Sequence, residues 1–177
     1  MYIYKTKPFK HQEEIIDDSW KRPYYALFME MGLGKSKVII DTIGKLKLES
    51  EIDSALIIAP KGVYDNWVKQ EIPNHLPDEI ARFVVRWQPS KAKKFQDDMQ
   101  KVVFEMMAGV KFLIMNIEAF SSERGKKAAY YFLRKNEDNI MIIDESTTIK
   151  NRKANRTKNI IDVSKYAKYK RILTGSP

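Results

Sequence analysis

Met29-Glu30-Met31-Gly32-Leu33-Gly34-Lys35-Ser36 follows the apolar run Tyr25-Ala26-Leu27-Phe28-Met29 and leads into a helical pattern with Ile39, Ile43 and Leu46 on one face. A strand, a glycine-rich turn and a helix form the arrangement in which backbone N–H groups curl around a phosphate, aided by the positive end of the helix dipole. Lys35 is then placed to reach terminal phosphates, and the Ser36 hydroxyl to ligate Mg²⁺. The general phosphate-loop pattern has Gly where Met29 stands. Read blandly, Gly34-Lys35-Ser36 is a turn followed by an N-cap; the strand before it and the helix after it favour the phosphate loop.

Further along lie five more short apolar runs: Ala55–Ala59, Phe83–Val85, Phe112–Met115, Ile140–Ile143 and Arg171–Leu173. Continuous runs of this length read as strands buried on both faces. Amphipathic segments separate them. One runs from Val63 to Ile72 with Val63, Trp67 and Ile72 inward. Another spans Lys91 to Met107 with Phe95, Met99, Val102 and Met106 at helical spacing. A third covers Glu123 to Arg134, anchored by Tyr130 and Leu133. Alternation of this kind predicts an α/β fold, a mostly parallel central sheet with helices on both faces. Ligands in such folds bind beyond the carboxyl ends of the strands.

The run Ile140–Ile143 ends in Asp144-Glu145. Two carboxylates at the end of a buried strand are costly unless a cation or solvent meets them. Nucleotide-bound magnesium would be that cation, with Asp144 as its ligand and Glu145 orienting and deprotonating the attacking water. A helix N-terminus with favourable charge is the plain alternative. The phosphate loop on the same sheet is what favours the catalytic reading.

Bulk composition sets the limits. The 177 residues suit one domain, and 44% apolar content is enough for a core. Zero cysteines exclude disulfides and Cys-ligated zinc, and two histidines are too few for a His-rich metal cluster. Lys and Arg total 32 against 23 Asp and Glu, a net charge of +9 that points to a polyanionic partner or to lysine used for solubility alone. No apolar run approaches the roughly 20 residues that span a bilayer, and Met1–Lys5 lacks a signal-peptide core. No membrane partner is expected. A cytoplasmic location is expected, and the compact form, free of long insertions, suggests a prokaryotic cell or a phage-infected host.

Six blocks in order resemble the first RecA-like lobe of superfamily 2 helicases and translocases, in their Swi2/Snf2-like branch. They are Pro8–Gln12, Met31–Ser36, Ile57–Lys61 with Asn66-Trp67 and Glu71, Ile114–Glu118, Asp144–Asn151, and Leu173-Thr174-Gly175-Ser176-Pro177. The resemblance implies a RecA-like P-loop NTPase domain over residues 1–177 that uses ATP and Mg²⁺. It implies ATP contacts from Gln12, Met31, Gly32, Leu33, Gly34, Lys35, Ser36 and Lys37. Gln12 would read adenine, with Phe9 and His11 flanking the base or packing in the core. It implies metal contacts from Ser36 and Asp144, catalysis by Glu145 with Lys35 and Asp144, and coupling through Thr147, Thr174, Gly175 and Ser176. It also implies nucleic-acid contacts from Pro60, Lys61, Asn116, Lys150 and Asn151. Departures are Ser36 where Thr is usual, Ser146-Thr147 where Ala-His or Ala-Asp is usual, and Met29 where an acidic residue is common.

Other residues carry two readings each. The loop Ser121–Lys127 and the basic stretch Lys150, Arg152, Lys153 and Arg156 either track a phosphate strand or are solvated. Trp67 reads as core and not as a base-stacking platform. Because no ordinary domain ends just after such a loop, a second RecA-like lobe is expected beyond residue 177, and residues 1–177 alone are expected to bind nucleotide weakly and hydrolyse it poorly. The leading expectation is a double-stranded DNA translocase. A strand-separating DNA or RNA helicase and a non-enzymatic basic binding module with a structural nucleotide site are the alternatives.

Overall fold

Every apolar run read from the sequence is a strand in the computed structural model, which describes residues 2–175. The strands are β1 (Tyr24–Phe28), β2 (Ser54–Ala59), β3 (Arg82–Arg86), β4 (Val110–Asn116), β5 (Asn139–Ile143) and β6 (Tyr169–Thr174). They pair in the order β1-β6-β5-β2-β4-β3, and every pairing is parallel. All six residues of β2 are buried. Ala55, Ile57 and Ala59 belong to the core on one face, Leu56 and Ile58 to the core on the other. This is the period-2 alternation of a strand covered on both sides, and it explains why β2 reads as an unbroken apolar run.

Helices α1 (Lys10–Ser19) and α2 (Lys35–Leu48) cover the first face, together with a segment made of α3 (Tyr64–Asn66), a π-helical turn (Trp67–Glu71) and α4 (Ile72–His75). Helices α5 (Lys93–Phe104), α6 (Glu123–Lys135) and α7 (Asn155–Ser164) cover the second. Local chemistry sets several of their ends. The Ser122 hydroxyl accepts the Gly125 N–H at 3.1 Å to cap α6, with Glu123 in its first turn and Arg134 and Lys135 in its last, matching the helix dipole.

Two helical expectations need correction. Val63 is 37% exposed and precedes the helix instead of anchoring it. Met106 is fully exposed, because α5 stops at Phe104 and the chain turns extended at Glu105. Helix α2 buries Ile39, Ile43 and Leu46 as expected, and residues 37 to 44 are all buried, with α1 and α4 packed on it and the N-terminal Tyr2 against it. That packing brings Lys37 and Asp41 inside as an ion pair of 2.8 Å, where Tyr2 Oη also donates to Asp41 at 2.9 Å and Lys37 Nζ to the Thr6 carbonyl at 2.7 Å.

Arg171, read as part of an apolar strand, is 1% exposed. Its guanidinium crosses to the carboxyl end of α1 and donates to the carbonyls of Ser19 at 2.9 Å and Trp20 at 3.3 Å. Burial pulls its pKa down to about 10, so it remains a cation at neutral pH and complements the negative end of that helix. Among the described residues no helix is long and apolar enough to cross a membrane.

Candidate functional site

An all-parallel sheet puts the carboxyl ends of all its strands on one edge. The glycine loop leaves β1 there, Asp144-Glu145 leave β5 there, and β6 lies between them. Gly32 and Gly34 have φ of +84° and +80°, the left-handed conformation that the curled loop requires and that side chains disfavour. Gly34 is also the N-cap of α2. Lys35 Nζ donates back to the carbonyls of Met29 at 2.8 Å and Glu30 at 3.2 Å, which spans the loop from inside. Ser36 is half-buried in the first turn of α2. Met31 and Leu33 are exposed.

Gln12, the adenine reader the resemblance implies, lies beside the glycine loop. It is 3% exposed, its Oε1 accepts the Phe9 N–H at 3.0 Å, and its Nε2 donates to the Leu33 carbonyl at 3.0 Å. The amide thus bridges the N-terminus of α1 and the glycine loop, bracing the one against the other. A Cβ on Gly34 would lie 2.3 Å from Gln12 Nε2. Gly34→Ala is expected to break this brace and to strain the backbone by about 1–2 kcal/mol. Equilibrium binding of a fluorescent ADP analogue checks it: a loss of roughly tenfold or more is expected, the cost of about 1.4 kcal/mol of lost loop order, and unchanged affinity would remove Gln12 and Gly34 from this role. Beside the brace, exposed Phe9 stacks on His11 with ring centroids 5.9 Å apart and planes at 10°.

Lys37 lies in the first turn of α2, with its side chain held in the buried pair with Asp41. Asn116 Oδ1 accepts the Ala119 N–H at 2.8 Å and caps the 3₁₀ turn Ile117–Ser121.

Asp144 is 8% exposed, and its Oδ2 accepts the indole N–H of Trp67 at 3.0 Å. Burial pushes its carboxyl above the usual range. The charge of Glu145 adds to that push, while the Trp67 N–H, the Glu145 amide and the Lys35 ammonium pull it back. Glu145 itself has φ +51°. A non-glycine residue in that region stores on the order of 1–3 kcal/mol and recurs at functional sites. The geometry is held from the next turn, where the Thr148 N–H and hydroxyl donate to the Glu145 carbonyl at 3.0 and 2.8 Å. Thr147 is half-buried in that 3₁₀ turn, Ser146–Ile149.

The end of β6 meets the same loop. The Met29 N–H donates to the Thr174 carbonyl at 3.3 Å, and a Cβ on Gly175 would stand 3.6 Å from both the Met29 carbonyl and the Met31 nitrogen. Ser176, grouped with them in the sequence, lies outside the described residues. At the ends of β2 and β5, Pro60 is half-buried and Lys61, Lys150 and Asn151 are exposed. Arg152 and Lys153 are also exposed, whereas Arg156 donates to the Thr148 carbonyl at 3.4 Å. In the other candidate loop, Ser122 caps α6, Arg124 donates to the Ser90 carbonyl, and Lys126 pairs with Asp162.

Two residues gain a place that sequence reasoning missed. Trp67 is buried as expected, but its polar edge is spent on Asp144. Glu71 is pushed up by burial and then by the charge of Asp144, and Asn66 Nδ2 donates to it at 3.0 Å. The Asn66-Trp67 pair and Glu71 were visible as part of a resembling block; their link to Asp144, 77 residues away, was not.

The residues present fit a magnesium ion. A hydroxyl in the first turn of α2 and a buried carboxylate are hard oxygen donors, and Mg²⁺ takes one or two protein oxygens with the rest from phosphate and water. Among the described residues no group of three or more His, Asp or Glu forms a metal cage, and such an ion needs none.

Residues 25–177 match the SNF2-related domain. The chain is 26% identical over 149 residues to the ATP-dependent helicase fft1 of Schizosaccharomyces pombe, covering 84% of this chain and 14% of that protein. It is 24% identical over 150 residues to the ATP-dependent helicase FUN30 of Saccharomyces cerevisiae, covering 84% and 12%. The chain thus spans a small part of the length of these relatives. Among solved structures it is similar to the Sulfolobus solfataricus SWI2/SNF2 ATPase core in complex with dsDNA, with TM-score 0.69 and 21% identity over 99% of this chain and 33% of that one. It is also similar to the UvsW helicase from bacteriophage T4, with TM-score 0.62 and 15% identity over 97% and 53%.

Proposed function

Because this chain belongs to the SNF2-related domain family, we propose that it is the ATP-binding lobe of a motor ATPase that couples ATP hydrolysis to movement along double-stranded DNA. The observation that carries this reading is the convergence on one sheet edge of the glycine loop after β1, the acidic pair after β5 and the end of β6 between them.

Each residue has a role in the proposal. The amides from Met31 to Ser36 surround the phosphates, and Lys35 leaves its resting carbonyls to neutralise the terminal one. Ser36 and Asp144 hold Mg²⁺. When bound, that ion supplies positive charge at the transferring phosphate. Glu145 orients the attacking water and takes its proton. Thr174 and Gly175, against the loop at the end of β6, and Thr147, in the turn after the acids, carry the state of the nucleotide outward. Pro60, Lys61, Lys150 and Asn151 meet backbone phosphates, so binding is insensitive to base sequence and sensitive to salt. A second RecA-like lobe supplies the cationic groups that complete the site, and residues 1–177 alone hydrolyse ATP poorly. The dsDNA in the Sulfolobus complex supports the choice of nucleic acid.

ATP turnover of the two-lobe form tests the proposal. Stimulation by duplex DNA is expected, with apparent DNA affinity falling steeply as salt rises from about 50 to 200 mM, together with displacement of a triplex-forming strand. Unwinding of a forked duplex without triplex displacement would replace the translocase with a strand-separating helicase. Equal turnover by residues 1–177 alone would remove the second lobe from the mechanism.

A further inference from the structure

The segment after β2 is wound in an unusual way. Its π turn is closed by the Ile72 N–H donating to the Trp67 carbonyl, five residues back. In an α-helix of 3.6 residues per turn, residues five apart point about 140° away from each other. The wider π winding brings Trp67 and Ile72 to the same buried side, at 1% and 0% exposure, and lets Asn66 reach Glu71 across the same spacing. π turns of this kind are frequent at functional sites.

What the turn achieves beyond packing is the aim of one N–H. An indole has a single donor, and here it is spent on Asp144 Oδ2 at 3.0 Å. Core burial alone needs no such donor, since a phenylalanine would fill most of the same space. Behind the π turn the support continues: Glu71 Oε2 lies 3.7 Å from His75 Nε2, and His75 Nδ1 lies 3.0 Å from the Thr6 hydroxyl. The Asp144 carboxylate is thus oriented by the helix that follows β2, an element remote from it in sequence.

We propose that Trp67 is a positioning residue for Asp144, its indole N–H fixing the carboxylate in the orientation that receives the magnesium ion of the bound nucleotide. The proposal rests on the magnesium-nucleotide reading of the site. Hydrogen-bonded partners of metal-ligating carboxylates typically govern metal affinity by 10–100-fold.

Binding of a fluorescent ADP analogue to the 177-residue chain, titrated with MgCl₂ and repeated in EDTA, tests it. For Trp67→Phe, the magnesium concentration at half effect is expected to rise roughly tenfold or more, with binding in EDTA unchanged. In an Asp144→Asn background, Trp67→Phe is expected to add nothing further to the magnesium dependence. An unchanged magnesium midpoint, or an equal added loss in the Asp144→Asn background, overturns the proposal. If Trp67→Phe does not fold, the indole N–H resonance of Trp67 in the unsubstituted chain decides, assigned against Trp20→Phe and Trp87→Phe. It is expected to shift when MgCl₂ is added to the ADP complex, and a resonance that stays in place overturns the proposal. Absence of any magnesium effect on ADP binding by the unsubstituted chain would instead overturn the proposed site itself, and this inference with it.

Discussion

Glu145→Gln is expected to lower ATP turnover of the two-lobe form by roughly 10²–10⁴-fold, the contribution of a positioned general base, while nucleotide binding persists. The amide keeps the size and hydrogen-bonding capacity of the side chain but cannot take a proton from water. The backbone that presents it, at φ +51° and held through Thr148, is unaffected by the change. Electrostatics gives the second half of the expectation. The Glu145 charge is one of the influences that raise the Asp144 carboxyl, so removing it moves Asp144 toward its ordinary acidity and favours the ionised form that binds metal. Affinity for magnesium nucleotide should therefore hold or tighten as turnover collapses. Steady-state ATPase assays paired with equilibrium ADP binding measure both. Retained turnover would take the base role from Glu145, and joint loss of turnover and binding would make its role structural.

Gly109→Ala is expected to cost about 2–5 kcal/mol of folding stability, from a left-handed backbone penalty of roughly 1–2 kcal/mol and an overpacking penalty of roughly 1–3 kcal/mol. Gly109 has φ +91°, and a Cβ there would lie 1.8 Å from the Ala81 carbonyl oxygen and 2.3 Å from its carbon. No flexible side chain can move aside, because both atoms are backbone. Ala81 is pinned as well, since its carbonyl accepts the Val110 N–H at 2.8 Å, next to the Arg82–Val110 register pair that starts β3 alongside β4. Urea denaturation should show the loss as a lower midpoint with an unchanged slope. The position lies at the amino ends of the strands, opposite the candidate site, so the folded fraction should bind ADP with ordinary affinity. A midpoint equal to that of the unsubstituted chain would mean that the β3–β4 start yields more easily than its hydrogen bonds suggest.

Sequence alone determined the parts of this protein whose chemistry is local. The central strands β2, β4 and β5 were legible because burial on both faces demands unbroken apolar runs, whereas β1 and β3 lie at the sheet edges and are only partly buried; the glycine loop was legible because a strand, glycines and a helix N-terminus in that order suit a phosphate. Asp144 and Glu145 stood out because charge at the end of a buried strand must meet a cation or solvent. Tertiary structure decided what depends on residues far apart along the chain. It set the strand order that brings β1, β6 and β5 together, and it sent the Arg171 guanidinium to the end of α1, 152 residues away. It spent the polar groups of Gln12, Lys37 and Asn116 on the fold itself. It also wound a π turn that places Trp67 against Asp144. Residue type and spacing report which face a side chain occupies, whereas the partner of its one polar atom is settled only when distant segments compete for the same buried space.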